Sequence, residues 1–140
     1  MARPIIRAIA DEDIAQIIAL WSAAGVARPW NDPHRDIAFA RRNAHSTLLV
    51  ADIKGEVVAT VMVGEDGHRG WVYYVATAPN HRGKSLGRAM MAAAEDWLKR
   101  RGVWKVQLLV REENAKVIEF YEHLGYRDTS TVCLQKILES

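Results

Sequence analysis

The most informative pattern in this chain covers residues 75–88, which read Val75-Ala76-Thr77-Ala78-Pro79-Asn80-His81-Arg82-Gly83-Lys84-Ser85-Leu86-Gly87-Arg88. A strand-like run leads into this segment, and a helix-like run follows it. The first amides of a helix have no partner within the helix, and the helix dipole adds positive potential beside them. Gly83 and Gly87 allow a ligand close to the backbone, while Arg82, Lys84 and Arg88 add positive charge. The segment therefore predicts a phosphate- or pyrophosphate-binding loop, with an ordinary strand-to-helix turn as the alternative.

The sequence on either side of this loop predicts the middle of the fold. Runs rich in Val and Leu predict three strands before the loop, and an apolar stripe predicts a long helix after it. Lys54-Gly55 separates the first two strands and is typical of a hairpin turn. The predicted elements are strands over residues 47–52, 56–64 and 71–77 and a helix over residues 86–101.

The two ends of the chain continue the alternation. Acidic residues from Asp11 onward, the pair Asp32-Pro33, and Asn114 each provide a helix start. The outer elements are strands over residues 5–9, 105–110 and 131–138 and helices over residues 11–25, 32–44 and 114–125. The order β-α-α-β-β-β-α-β-α-β predicts an α+β fold, with a mixed, mostly antiparallel sheet flanked by helices in one domain over residues 1–140.

Composition excludes several classes of protein. The chain has 140 residues, a net charge of +2, five histidines and one cysteine, Cys133, which lies in the last predicted strand and is expected to be buried. That charge is too small for strong non-specific nucleic-acid binding, and the longest apolar run is too short to span a membrane. The histidines lack the spacing of metal ligands. We expect a cytoplasmic protein with no metal, nucleic-acid or membrane partner.

Residues 78–85 also allow a nucleotide-binding interpretation. Ala78-x4-Gly83-Lys84-Ser85 matches a P-loop except that Ala78 replaces the first glycine. In such a loop, Lys84 would contact the terminal phosphates and Ser85 would contact magnesium. The following strand runs into Arg111 rather than a magnesium-binding Asp, and the preceding strands read as hairpins. Nucleotide hydrolysis is therefore the weaker alternative.

Two motifs resemble one family of enzymes. Arg82-Gly83-Lys84-Ser85-Leu86-Gly87 is similar to the Arg/Gln-x-x-Gly-x-Gly/Ala pyrophosphate loop of the GNAT acetyltransferase superfamily. Downstream, Asn114-x6-Tyr121-Glu122-x2-Gly125-Tyr126 resembles that family's second signature. The order of elements also matches. Trp30-Asn31-Asp32-Pro33 and residues 66–70 resemble small bacterial members such as the YpeA-like group, with ribosomal-protein N-acetyltransferases as more distant relatives.

The resemblance implies an activity, a co-substrate and roles for named residues. It implies an N-acetyltransferase that uses acetyl-CoA and a primary amine, with a non-catalytic acyl-CoA-binding or regulatory domain as the alternative. Asn114 would contact pantetheine, and Tyr121 would approach the sulfur and act as general acid. The pantetheine arm and the thioester would pair with the backbone of Val75, Ala76 and Thr77. Pyrophosphate would lie on the amides of Arg82, Gly83, Lys84, Ser85, Leu86, Gly87 and Arg88.

Ser85 departs from the family pattern, which has glycine at this position. A glycine is required only where φ is positive, whereas a helix N-cap accepts serine readily. We therefore expect Ser85 to be an ordinary N-cap that preserves coenzyme A binding.

The sequence leaves the general base and the acceptor open. Glu65, Asp66 and His68 precede one strand, Glu112 and Glu113 follow another, and water is an equal candidate for the base. The resemblance places the acceptor against residues 25–35 and 127–131, where Trp30, Asn31, Asp32 and His34 could form a wall. The acceptor's identity, and whether the protein is a monomer or a homodimer, stay open.

Overall fold

The protein is described here by a computed structural model that covers residues 2–139. The chain forms two compact units, Met1–Leu109 and Val110–Ser140. The first unit contains the sheet and three helices, and the second contains one helix. That residues 1–140 fold as one domain stays a prediction.

The first unit is built on a five-stranded sheet with the strand order β1-β2-β3-β4-β5. Strands β1 to β4 pair antiparallel in chain order, whereas β5 lies parallel to β4. The strands are β1 (Ile5–Ala8), β2 (Ser46–Ile53), β3 (Glu56–Glu65), β4 (Gly70–Thr77) and β5 (Val106–Gln107). The helices are α1 (Ile14–Ala23), α2 (Pro33–Arg41), α3 (Leu86–Lys99) and, in the second unit, α4 (Ala115–His123). This arrangement confirms the predicted α+β fold class.

Helices cover both faces of the sheet. On one face, Ile17 and Trp21 of α1 and Ile37 of α2 form a core with Leu48 and Val50 of β2. On the other face lies α3, which contacts β2, β3 and β4. Gly70 permits that approach, because a Cβ atom there would come within 2.6 Å of the Leu98 side chain. Strands β2 to β4 are therefore buried from both sides, which explains their continuous Val- and Leu-rich sequences.

The C-terminal part of the chain differs from the predictions. The strand predicted over residues 105–110 is reduced to Val106–Gln107, and the predicted strand over residues 131–138 is absent, since the described residues 126–139 form neither helix nor strand. The alternation there suits a strand, but a strand needs a paired neighbour, and the second unit contains none among its described residues. The expectation that Cys133 is buried is also wrong, because it is exposed.

A buried ion pair joins the first turn of the α1 region to the sheet edge. Arg7 of β1 donates two hydrogen bonds to Asp13, at 2.7 and 2.9 Å, and two to Asp52 of β2, at 3.1 and 3.2 Å. The backbone N–H of Ala10 also donates to Asp13 at 2.7 Å. Asp13 is only 2% exposed, so these donors supply the solvation that its carboxylate loses. They hold the pKa of Asp13 below its usual value, with the Arg7 bonds as the main cause.

We expect Asp13→Asn to lower the free energy of unfolding by about 2 kcal/mol at neutral pH, because it weakens a charge-assisted buried pair. The pKa of Asp13 is lower in the folded state, so its contribution is complete above the unfolded value of ~3.9 and is lost as the pH falls below it. The difference between wild type and variant should therefore shrink from pH 6 toward pH 3 in urea titrations. Glu12→Gln, at an exposed neighbour, is the control; a pH-independent difference would contradict the assignment.

Candidate functional site

Strand β4 has an open edge at its C-terminal half. It pairs with β5 only at Gly70–Val106 and Trp71–Gln107. Beyond Trp71, no strand of the described residues 2–139 pairs with that side of β4. An unpaired edge presents N–H and C=O groups that an extended ligand can bind as an added strand would.

A β-bulge distorts β4 beside this open edge. Thr60 of β3 lies opposite Ala76, but Met62 lies opposite Tyr73. Two residues of β4, Tyr74 and Val75, therefore face a single residue of β3, and Tyr74 has a φ of +51°. Such a backbone costs roughly 1–3 kcal/mol for a bulky residue and persists only where its surroundings hold it.

Four side chains hold the bulge. Trp21 Nε1–H donates to the Thr60 hydroxyl at 2.9 Å, and that hydroxyl donates to the Tyr74 carbonyl at 2.9 Å. The Tyr74 ring stacks on the Trp21 ring with centroids 3.7 Å apart. The Tyr74 hydroxyl donates to Asp36 Oδ2 of α2 at 2.7 Å. The carbonyl, ring and hydroxyl of Tyr74 are thus each fixed by a different element, which is how the strained conformation is kept.

Three predicted residues lie in succession at the end of β4, the first of them within the bulge. The last three residues of β4 before the chain leaves the sheet are Val75, Ala76 and Thr77. Ala76 is buried in the core between the sheet and α1, so it anchors this segment, while Val75 and Thr77 are half-buried. The buried Ala76 side chain fixes the position of this backbone, which lies on the strand whose β5-facing edge is open.

The predicted anion-binding loop follows at once. A short 3-10 turn, Pro79–His81, leads into residues 82–85, and α3 begins at Leu86, whose side chain is buried. Arg82, Lys84 and Arg88 are exposed, and none has an acidic partner within the described part of the chain. The loop therefore presents unneutralised positive charge at a helix N-terminus.

Ser85 does not behave as expected. Its φ and ψ are +61° and +25°, in the left-handed region, and its side chain makes no capping hydrogen bond. The expectation of an ordinary N-cap is therefore wrong, because the backbone at this position has the left-handed conformation that glycine adopts most readily. Gly83 is also left-handed, with φ at +80°, so two left-handed residues turn the chain into α3.

The second unit contains the other predicted residues. Asn114 occupies the N-cap position of α4 without a side-chain capping bond. Tyr121 lies in α4, half-buried, with its ring edge-on to Phe120 and Tyr126. Burial raises the pKa of Tyr121 to about 12, so its phenol stays protonated at neutral pH. Gly125, with φ at +96°, ends the helix as the sequence predicts.

The carboxylates that are candidate bases before β4 already accept hydrogen bonds from other groups of the protein. Asp66 accepts bonds from the N–H groups of His68 and Arg69, at 2.9 and 2.7 Å, and from Trp71 Nε1 at 3.1 Å. Glu65 accepts from His45 Nδ1 at 2.9 Å and from Gly67 N at 2.8 Å. These bonds lower the pKa of both carboxyl groups, which makes them weaker bases. Glu112 and Glu113 are exposed in the second unit.

A cavity of about 680 Å³ lies between α2 and the β3–β4 hairpin. Its lining includes Asn31, Asp36, Glu65, Trp71, Tyr73 and Tyr74. Tyr73 and Tyr74 are consecutive, and in a regular strand they would point to opposite faces. The bulge is what turns both toward the cavity, so the feature that shapes β4 also shapes this cavity.

The acceptor wall predicted from the sequence is only partly present in the first unit. Asn31 lines the cavity. Asp32 instead caps α2, accepting from the N–H groups of His34 and Arg35 at 3.0 and 3.3 Å, and Trp30 is 67% exposed. Residues 127–131, in the second unit, form no strand. Sequence reasoning missed Asp36 and Tyr74, because Asp36 reads as a first-turn helix acid and nothing local reveals the bulge.

Two further observations concern ions and membranes. Within residues 2–139, no group of three or more His, Cys, Asp or Glu side chains could hold a metal ion. No helix described in the structure has the length and apolar character needed to cross a bilayer.

The hydrogen-bonded bulge leads to a stability prediction. We expect Thr60→Val, which preserves volume, to lower the free energy of unfolding by about 3 kcal/mol, because it leaves the Trp21 N–H and the Tyr74 carbonyl unsatisfied in the core. Thr60→Ser keeps the hydroxyl and should cost about 1 kcal/mol for the lost methyl group. Urea denaturation of both variants provides the measurement. Equal losses in the two variants would show that the hydroxyl does not hold the bulge.

The comparison with known proteins agrees with this geometry. A family model described as the acetyltransferase (GNAT) family matches residues 12–126. A transcriptional regulator from Bacillus halodurans C-125 is 21% identical with a TM-score of 0.83, covering 96% of this chain and 99% of that one. Aminoglycoside N-acetyltransferase AAC(6')-Iy in complex with CoA is 14% identical with a TM-score of 0.83, covering 98% and 96%. The ribosomal-protein-S18-alanine N-acetyltransferase from Escherichia coli is 24% identical with a TM-score of 0.79, covering 91% and 79%. At these identities the solved structures establish the fold, and the family match establishes that this chain belongs to the GNAT acetyltransferase family.

Proposed function

We propose that this protein is an N-acetyltransferase that moves the acetyl group of acetyl-CoA to a primary amine within a ternary complex. One observation carries the proposal: in a chain of this family, the open edge of β4 leads directly into an exposed basic loop at a helix N-terminus. An extended thioester arm and its anionic pyrophosphate need these two features in this order.

The reaction needs a neutral amine and a protonated leaving group. The acceptor, an ammonium in solution, first gives one proton to the general base or to water. Its nitrogen then attacks the thioester carbonyl, so an N–C bond forms and the C–S bond breaks. The proton remaining in excess on nitrogen balances the one that the departing thiolate takes up. Stabilising the tetrahedral oxyanion and protonating the thiolate are the two tasks of the protein.

The backbone of β4 takes the first task in this proposal. Val75, Ala76 and Thr77 would pair with the pantetheine arm, and a backbone N–H beside the bulge would donate to the thioester oxygen as it becomes negative. Such a donor acts through its fixed direction, so the hydrogen bonds and stacking that hold Tyr74 support the assignment.

The loop and the start of α3 take the pyrophosphate. Arg82, Lys84 and Arg88 would supply charge, and the amides of Gly83, Ser85, Leu86 and Gly87 would donate hydrogen bonds. The exposed, unpaired state of the three cations supports this role, since a cation already held in an ion pair contributes less to a new anion. Asn114 would contact the pantetheine amides.

Tyr121 takes the second task. With its pKa raised to about 12 by burial, the phenol carries its proton at neutral pH and can donate it to the thiolate. For the base, the occupied oxygens of Glu65 and Asp66 favour a water-mediated route over either carboxylate.

A non-catalytic acyl-CoA-binding domain is the second candidate function. Two observations favour it: Ser85 adopts a strained backbone in the loop, and both carboxylates ahead of β4 are engaged by their own loop. Such a domain would bind the thioester without transferring the acetyl group.

Thermal shift with acetyl-CoA, CoA and ATP, followed by thiol release over a panel of amines, tests the proposal. We expect stabilisation by acetyl-CoA and CoA, none by ATP alone, and thiol release with at least one amine. Stabilisation by CoA without turnover on any amine would favour the binding domain. Stabilisation by ATP alone would overturn the coenzyme A proposal.

Ser85→Gly tests whether the serine weakens the loop. Because Ser85 already has the left-handed backbone, the variant should keep the Kd for CoA within about threefold and stabilise the protein by at most ~1 kcal/mol. Ser85→Val should destabilise it by about 1–2 kcal/mol, since a β-branched residue resists positive φ. Calorimetric titration and urea denaturation measure both effects. A tenfold tighter complex in the glycine variant would show that serine distorts the site.

Tyr121→Phe tests the general acid. We expect kcat to fall by about 100-fold, the usual range for losing acid–base catalysis, with the Kd for acetyl-CoA changed by less than about threefold. Tyr126→Phe, in the same ring cluster, is the matched control and should retain most of the activity. Steady-state kinetics with thiol detection, beside acetyl-CoA titration, give both quantities. Unchanged kcat in Tyr121→Phe would remove this residue from the mechanism.

A further inference from the structure

We propose that the cavity between α2 and the β3–β4 hairpin is the acceptor pocket, and that it selects an amine that carries a second cationic group. The inference rests on the proposed acetyl transfer and extends it to the class of acceptor. It follows from the charge of the cavity lining, its aromatic surfaces and its position on β4.

The cavity is negative in a protein that is positive overall. Three carboxylates, Asp36, Glu65 and Asp66, belong to its lining, which contains no lysine, arginine or histidine among residues 2–139. The whole chain has 19 basic and 17 acidic residues, for a net charge of +2. A concave surface lined by one sign of charge concentrates ligands of the opposite sign and repels those of its own.

These carboxylates come from separate elements and lie at different points of the lining. Asp36 lies on α2, half-buried, and holds the Tyr74 hydroxyl through Oδ2. Glu65 ends β3, where it contacts His45, and Asp66 follows it, tied to the N–H of Arg69. Because Glu65 already accepts hydrogen bonds from His45 and Gly67, and Asp66 accepts from His68 and Arg69, Asp36 is the main anchor for a cation in this proposal. The bonds that lower the pKa of Glu65 and Asp66 keep both ionised into mild acid.

Aromatic faces complete the lining. The ring of Phe39 borders the cavity but already has the Arg42 guanidinium over it, 3.8 Å from its centroid. Trp71 and Tyr73 are near-parallel, with ring centroids 6.5 Å apart, and Tyr74 also borders the cavity. Such rings attract ammonium groups through their faces and pack against methylene chains. An aliphatic chain with a cation at its far end can therefore pack against the rings and place its charge near the carboxylates. An anionic acceptor would lose its hydration beside groups of the same charge.

The position of the cavity connects it to the reaction. Tyr74 lines the cavity and is followed directly by Val75, the first residue of the backbone segment proposed to hold the thioester. A cation anchored near Asp36 would leave the other end of the acceptor free to reach this part of β4. The anchored group keeps its charge, while the reacting amine loses a proton before attack.

Three amines of equal length test this selectivity: 1,4-diaminobutane, 4-amino-1-butanol and 4-aminobutanoate. We expect kcat/KM for the diamine to exceed that for the amino alcohol by at least tenfold, which is well above the twofold that its two identical amines explain. The amino acid should be the poorest acceptor. Equal or better turnover of the amino alcohol or the amino acid would overturn the inference while leaving acetyl transfer established.

Asp36→Asn identifies the anchor. This variant keeps an oxygen that can accept from Tyr74, and we expect it to lower kcat/KM for the diamine more than for the amino alcohol, which reduces the diamine preference to below threefold. Glu65→Gln should reduce the preference less, and Glu12→Gln, at an exposed site outside the cavity, should leave it unchanged. Equal losses for the diamine and the amino alcohol in a normally folded Asp36→Asn would assign Asp36 a structural role only and overturn its role as anchor. Absence of both acetyl-CoA stabilisation and thiol release with any amine would instead overturn the proposed function itself.

Discussion

The shape of β4 and of the cavity beside it depends on one chain of hydrogen bonds, from the Trp21 indole through the Thr60 hydroxyl to the Tyr74 carbonyl. Thr60 is fully buried, so its hydroxyl has no water to exchange with and each bond fixes the direction of the next. The chain joins α1, β3 and β4 and holds a tyrosine at positive φ. A β4 that paired regularly with β3 would relieve that strain, but it would give up the bond from the Thr60 hydroxyl to the Tyr74 carbonyl, the stacking of Tyr74 on Trp21 and the bond to Asp36. These contacts hold the bulge against its strain.

The bulge affects both the cavity beside β4 and the open edge of the strand. On the side of α2, it turns Tyr73 and Tyr74 toward the same cavity and brings the Tyr74 hydroxyl to Asp36. Along the strand, it lies within the segment whose β5-facing edge is open. One local irregularity thus shapes the cavity proposed for the acceptor and adjoins the backbone segment proposed to hold the thioester. This coupling explains why the strain is stored here and nowhere else along the strand.

Local chemistry made most of the fold predictable. Asp32-Pro33 starts α2, Lys54-Gly55 turns the β2–β3 hairpin, and Gly125 ends α4, because each residue acts through its own backbone. What the sequence did not reveal depends on distant partners. The bulge at Tyr74 needs Trp21 and Thr60, which are far away in the chain, and the strand pattern after residue 130 has no neighbour to pair with. At Ser85 the prediction from local chemistry was itself wrong. Serine is a favoured helix N-cap, but here it has a left-handed backbone, which serine disfavours.

Charge separates the two ends of the proposed reaction. Among the described residues, the loop before α3 has exposed cations without acidic partners, and the lining of the cavity beside α2 has carboxylates and no lysine, arginine or histidine. The net charge of the chain is nevertheless only +2. The small net charge of the chain is therefore the sum of a basic region and an acidic region that lie at different places. In the proposed reaction, coenzyme A, an anion, would be repelled from the cavity, and a cationic acceptor would be repelled from the loop. Each substrate would thereby be directed to its own site. The two would meet on β4, where Tyr74 of the cavity lining is followed directly by Val75 of the segment proposed to hold the thioester.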